Sequence, residues 1–185
     1  MPVDSDRLNP GEVLLPGQGL SSPNGMLRVV FQTDGNFCIG LMPYGRRCIW
    51  ASDTVLAGTD RPTKAAMQTD GHLVLYKNDP IQWYWVSNDV VGYGPILLVE
   101  NRAVRVINGD QEYWRAPIPL PWLVSYAVQM DPRREAQPQW RSEVFYATSA
   151  GAARQQAVDR AGIFFAGVGP IRESEDWAGA PRHEP

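Results

Sequence analysis

The sequence predicts a mainly β chain: three related β units followed by a small α+β extension. Three observations carry this. A phrase occurs twice, Gln32-Thr33-Asp34-Gly35-Asn36 returning 36 residues later as Gln68-Thr69-Asp70-Gly71-His72. Each copy leads into a short apolar run, Phe37-Cys38-Ile39 or Leu73-Val74-Leu75-Tyr76. Each run is followed by a tryptophan and a small polar group, Trp50-Ala51-Ser52-Asp53 and Trp85-Val86-Ser87-Asn88. Turn signals also recur at short intervals: Pro23-Asn24-Gly25, Asp34-Gly35, Asp70-Gly71, Lys77-Asn78-Asp79-Pro80 and Asn108-Gly109-Asp110. Finally, 17 Gly, 16 Pro and 7 Trp among 185 residues suit short strands and tight turns over an aromatic core.

Taken in order, residues 1–12 are a polar lead-in. From Val13 to Ala116, apolar runs alternate with turns. The third unit is eroded: Leu98-Val99-Glu100-Asn101-Arg102-Ala103-Val104-Arg105-Val106 aligns without a gap on Gln68 to Tyr76. Trp114 closes it. Trp50, Trp85 and Trp114 recur at equivalent places and are expected in a shared core. Trp83 and Tyr84 have no counterparts and are expected nearer the surface. Pro117-Ile118-Pro119-Leu120-Pro121 is a stiff, extended connector.

Beyond it, Leu123–Met130 and Trp140–Tyr146 are expected strands, with a turn at Asp131–Glu135. Thr148 or Ser149 caps a helix from about Ala150 to Ala161, closed by Gly162. Ala153, Ala157 and Ala161 form its small-residue stripe. Ile163–Ala166 is a further strand, and the residues after Glu173 are a flexible polar tail. The expected domains are therefore 1–121, 122–173 and a tail at 174–185. The extension is expected to pack on the first domain or to mediate oligomerisation.

Formal net charge is −3, with mixed signs, which gives no nucleic-acid footprint. No apolar run reaches membrane-spanning length. The start, Met1-Pro2-Val3-Asp4-Ser5-Asp6-Arg7, lacks the basic and apolar parts of a secretory signal. That suits a cytoplasmic chain, one released by another route, or a mature form. The only histidines are His72 and His183, and no Cys/His cluster has metal spacing. No nucleophile with a base and an orienting group is visible, so no enzyme, metal or cofactor is expected. Arg46-Arg47 and Arg133-Arg134 are expected to be solvated turns.

The repeated phrase resembles the signature Gln-x-Asp-x-Asn-x-Val-x-Tyr of the bulb-type, mannose-binding monocot lectins. Leu14, Gly17-Gln18 and Leu20-Ser21-Ser22-Pro23-Asn24-Gly25 are similar to that family's opening strands and turn. The resemblance covers residues from about 8 to 116. It implies a pseudo-threefold β-prism, a metal-free site for mannose or mannose-containing glycans, and a homodimer. The sugar's hydroxyls call for fixed groups that both donate and accept, plus one apolar contact. Gln, Asp, Asn, Tyr and Val provide these. Strand alternation is expected to bring the odd-numbered motif positions onto one strand face.

Matched position by position, the second unit keeps Gln68, Asp70, Val74 and Tyr76, with His72 replacing Asn. The first keeps Gln32, Asp34 and Asn36, with Cys38 replacing Val and Gly40 replacing Tyr. The third has Leu98, Glu100, Arg102, Val104 and Val106 and is expected not to bind. Tyr44 can flank the first site. The same residues would also suit a prism kept for its turns alone, serving as an interaction or scaffold protein.

Cys38 and Cys48 sit at a spacing that a hairpin disulfide can join. Alternation argues the other way: Cys38 shares the face of Gln32, Asp34 and Asn36, whereas Cys48 has the parity of inward-pointing Trp50. The sequence therefore favours two free thiols.

Overall fold

The computed structural model describes residues 5–42, 47–55, 60–78, 81–87, 92–128, 138–161 and 165–174. Tyr44, Arg46, the Asp79-Pro80 turn, the Asp131–Glu135 turn, Gly162, Ile163-Phe164, His183 and the tail from 175 lie outside the described residues. The chain divides into two compact parts, the N-terminal one running to Ala116 and the C-terminal one starting at Pro117.

The N-terminal part is a β-prism of three four-stranded antiparallel sheets, one for each repeated unit of the sequence. One sheet contains β3 (Gly19–Ser21), β4 (Leu27–Phe31), β5 (Phe37–Leu41) and β6 (Arg47–Ala51). The second contains β2 (Val13–Leu14), β7 (Lys64–Met67), β8 (Leu73–Asn78) and β9 (Ile81–Val86). The third contains β1 (Arg7–Leu8), β10 (Ile96–Val99), β11 (Val104–Asn108) and β12 (Gln111–Arg115).

The lead-in is thus not idle. Leu8, Leu14 and Leu20 stand six residues apart, and each is buried in a different sheet, paired with Leu97, Ala65 and Val29. The N-terminal segment closes all three sheets. Two-residue strands are too short to show an alternating pattern, so β1 is not legible from the sequence.

The apolar side chains of the inner strands face a common core. Phe31, Phe37, Ile39, Met67, Leu73 and Leu75 are fully buried, as are Leu97, Val99, Val104 and Val106. Trp50, Trp85 and Trp114 meet edge to face as a triangle, with ring centroids 5.8, 5.6 and 5.5 Å apart. This is a favoured aromatic geometry, and it ties the three sheets together.

Each sheet carries one bulge, at the same place. Trp50 pairs with Ile39 and Cys48 with Gly40, leaving Ile49 as the extra residue. Trp85 pairs with Leu75 and Trp83 with Tyr76, leaving Tyr84 extra. Trp114 pairs with Val106 and Glu112 with Ile107, leaving Tyr113 extra. An extra residue reverses side-chain parity. The tryptophan therefore points inward, while the residue two places before it points out.

The C-terminal part is a three-stranded sheet ordered β14-β13-β15 with one helix. β13 is Leu120–Val128, β14 Gln139–Ala147, α1 Ala150–Ala161 and β15 Phe165–Glu173. Ser149 caps the helix, its Oγ accepting from Ala152 N at 3.2 Å. Ala153, Ala157 and Ala161 bring the helix against Val124, Tyr126 and Val128. Tyr126 donates its hydroxyl proton to Glu143 at 2.7 Å. Burial first, then that carboxylate, raises its pKa above the ordinary tyrosine value. The sheet departs from expectation at two edges: Leu120 and Pro121 of the expected connector already belong to β13, and β15 runs to Glu173 rather than ending at Ala166.

Candidate functional site

The repeated phrase folds as a turn, not as a strand. Residues 32–36 and 68–72 connect β4 to β5 and β7 to β8. Gln32 N donates to Asn36 O at 2.7 Å and Gln68 N to His72 O at 2.8 Å. Asp34 Oδ1 accepts from Asn36 N at 3.0 Å, and Asp70 Oδ1 from His72 N at 3.2 Å. Such side-chain caps are why Asp suits this position. Gly35 and Gly71 adopt φ of +94° and +100°, and a Cβ there would also come within 2.9 Å of Pro62 and 2.7 Å of Gly92 O. The expectation that all five odd positions lie on one strand face is therefore corrected: the first three are in the turn, and only the last two are on the strand.

The second unit gathers four of its five expected residues around one cavity of 630 Å³. Gln68, His72, Val74 and Tyr76 line it, joined by Trp83 and Ile81 from β9. Asp70 is not on the lining; it holds the histidine. His72 Nδ1 lies 3.2 Å from Asp70 Oδ1. With the proton on Nδ1, Nε2 is left as an acceptor. Lys64 Nζ stands 4.4 Å above the Tyr76 ring. Trp83 is 69% exposed, so the bulge at Tyr84 presents an aromatic face to water beside the polar turn. The sequence places Trp83 nearer the surface without assigning it to this face. The clue is the spacing of Trp83 and Trp85, two residues apart, which plain alternation would send to one side.

The first unit differs. Its cavity of 360 Å³ is lined by Gln32, Cys38 and Gly40 together with Arg28, Val30 and Met42. Asp34 serves the turn, and Asn36 Oδ1 accepts from Ser52 Oγ at 3.0 Å and from Thr54 N at 3.4 Å. Neither lines the cavity. The free-thiol expectation is overturned: Cys38 and Cys48 form a disulfide, with Cα atoms 6.2 Å apart. The bulge at Ile49 breaks the parity argument, turning Cys48 outward onto the face of Cys38.

The third unit does not follow the gapless alignment. Val99 pairs with Val104, whereas Met67 pairs with Leu73, so the third turn is one residue shorter. The register places Glu100 where Gln68 stands, Arg105 where Val74 stands and Ile107 where Tyr76 stands. Val104 and Val106 face the core. Arg105 forks onto Glu100, with Nε to Oε2 at 2.6 Å, and its Nη1 reaches Glu112 at 3.2 Å. Arg115 donates to Glu112 at 2.8 Å. That bond chiefly, with Arg105, holds the Glu112 carboxyl below its ordinary value. Ion pairs occupy this face.

Over 112 residues the chain is 36% identical to the B-type lectin plumieribetin of Scorpaena plumieri, spanning 59% of this chain and 92% of that protein. The chain belongs to the B-type lectins. This B-type lectin also superposes on the solved structure titled Japanese Marasmius oreades lectin, with a TM-score of 0.51 at 22% identity. The match covers 62% of this chain and 93% of that one, and it supports the prism fold. A domain-swapped lectin dimer from Mycobacterium smegmatis matches at 25% identity, 58% and 95% coverage and a TM-score of 0.34, an overlap too low to carry an argument. No protein-family model matches the chain.

Among the described residues, no group of three or more His, Cys, Asp or Glu is placed to hold a metal ion. Among the same residues, no helix is long and apolar enough to cross a membrane.

Proposed function

We propose that the outer face of the second unit binds mannose or a mannose-containing glycan, in the manner of the monocot bulb-type lectins. The supporting observation is the 630 Å³ cavity that collects Gln68, His72, Val74 and Tyr76 beside Trp83. Gln68 contributes an amide donor and acceptor, His72 an acceptor at Nε2, and Tyr76 a hydroxyl. Val74 and Trp83 provide apolar surface for the sugar's C–H face. Asp70 positions His72. The protein is a binding module in this reading, without a catalytic step. A single shallow site binds weakly, so useful avidity requires a second copy, and a homodimer is part of the proposal.

The test is a titration of methyl α-mannoside into isotope-labelled protein, followed by NMR. Saturable shifts at His72 and Tyr76 are expected with a Kd of about 1 mM, and Gln68→Ala should weaken binding at least about tenfold, roughly 1.4 kcal/mol. Absence of any shift on this face would sink the mannose reading. A second reading then takes its place: Ile81, 86% exposed, and Trp83 would form a contact surface for a protein partner.

A further inference from the structure

The outer faces of the three units differ most at one cross-strand pair. In the second unit Lys64 pairs with Tyr76, and its charge rests over the ring. In the third unit, Ile96 pairs with Ile107, two apolar side chains. In the first unit Arg28 pairs with Gly40. The glycine offers no ring, no hydroxyl and no carboxylate. Arg28 has no ion-pair or hydrogen-bond partner among the described residues, and its Nε is buried from water without an acceptor. A buried, unsatisfied N–H of a charged group is unfavourable unless something accepts from it.

Arg28 is among the residues that line the 360 Å³ cavity. Gln32 stands at the turn end of that cavity with an amide that can donate and accept. Val30 and Met42 give it apolar wall, and the disulfided Cys38 gives it a cross-linked floor. A planar guanidinium matches carboxylate and phosphate oxygens through paired N–H donors. A neutral mannoside would leave that charge unanswered.

We infer that the first face is a second, chemically distinct glycan site, one that takes a sugar carrying an anionic group: a uronic acid carboxylate or a phosphate ester. Arg28 grips the anion, and Gln32 reads the neighbouring hydroxyls. The Tyr-to-Gly change at position 40 opens the space that the anion fills. This assignment does not depend on mannose binding at the second face.

The experiment titrates the full, oxidised chain separately with methyl glucuronide, mannose 6-phosphate, methyl α-mannoside and inorganic phosphate. The arginine Nε–H signal of Arg28 and the amides of Gly40 and Met42 are followed by NMR. One or both charged sugars should shift these signals saturably, at least about tenfold more tightly than methyl mannoside does at this face. Added salt should weaken the binding. The sugar that binds tells carboxylate from phosphate. Arg28→Gln should abolish the effect, while Arg28→Lys, a point charge without the fork, should retain part of it. The His72 and Tyr76 signals report that each variant is folded. No response of Arg28 to either charged sugar overturns the site. Inorganic phosphate binding as tightly as the sugars overturns the glycan assignment, leaving an anion hole only. A failed mannoside titration at His72 with a positive response at Arg28 would discard the proposed function and keep this inference.

Discussion

The outer faces of the second and third units share a backbone and almost nothing else. Both have a turn, two antiparallel strands and a bulge before a core tryptophan. On the second face, Val74, Tyr76 and Trp83 surround an open cavity. On the third, Arg105, Ile107 and Glu112 take the same register positions, and Arg105 pairs with Glu100 and Glu112. The difference teaches that the bulge is the common device. It frees the position two residues before each tryptophan to face outward, and the side chain placed there decides what the face becomes. A cysteine gives a cross-link, a tryptophan gives an aromatic wall, and a glutamate gives a closed salt-bridge cluster.

The largest test of that comparison separates Trp85 from Trp83. Trp85 stacks with Phe37 and meets both other tryptophans of the triangle. Trp85→Ala should cost about 3–5 kcal/mol in urea unfolding. Trp83→Ala should cost only about 0.5 kcal/mol, because the bulge puts its ring in water. Equal losses would mean that the two rings share a face and that the bulge is misplaced.

Next comes the first face. The disulfide closes a loop with a sequence separation of 10. The loop-entropy relation then gives about 2–3 kcal/mol for its removal. A Cys38→Ser, Cys48→Ser double variant should lose that much in denaturant, and reducing agent should lower the wild type to match. A wild type indifferent to reductant would restore the free-thiol expectation.

Opening the third face is a smaller effect. Arg105→Val installs the second unit's residue and leaves Glu100 and Glu112 without that partner. Both carboxylates are more than a third exposed, so solvent screens them, and the expected loss is about 1 kcal/mol. It should shrink further in high salt.

The smallest effect is a pH dependence confined to this cluster. Glu112 has its folded pKa lowered, chiefly by Arg115. Its contribution is therefore present above the ordinary glutamate value and lost as pH falls through the lowered folded value. Between about pH 6 and pH 3, the urea midpoint of the wild type should fall more than that of Glu112→Gln. Parallel curves would show that the cluster contributes nothing at neutral pH.

Much of the fold was legible because repetition is a strong signal. The phrase at Gln32 and Gln68, the recurring tryptophans and the turn glycines gave three β units and a shared aromatic centre. The helix from Ala150 to Ala161 was legible from its cap and its alanine stripe. Four of the second unit's five motif residues lie on one cavity, although Gln68 and His72 reach it from a turn and not from the expected strand face. The motif's aspartates were legible by position but not by task. Their carboxylates hold turn amides, and a sequence cannot tell an Asp that caps a turn from an Asp that faces a ligand.

By itself, then, the sequence determined the local and periodic features: turn chemistry, strand composition, the threefold repeat and the helix boundaries. These follow from backbone preferences of residues close in the chain. The tertiary structure alone decided which side chains share a face. One bulged residue inverts parity, and one deleted turn residue shifts a register, and neither leaves a mark on local hydrophobicity. That is why Cys38 meets Cys48, why Trp83 turns away from Trp85, why Arg105 closes the third face, and why Arg28 stands unpaired over Gly40.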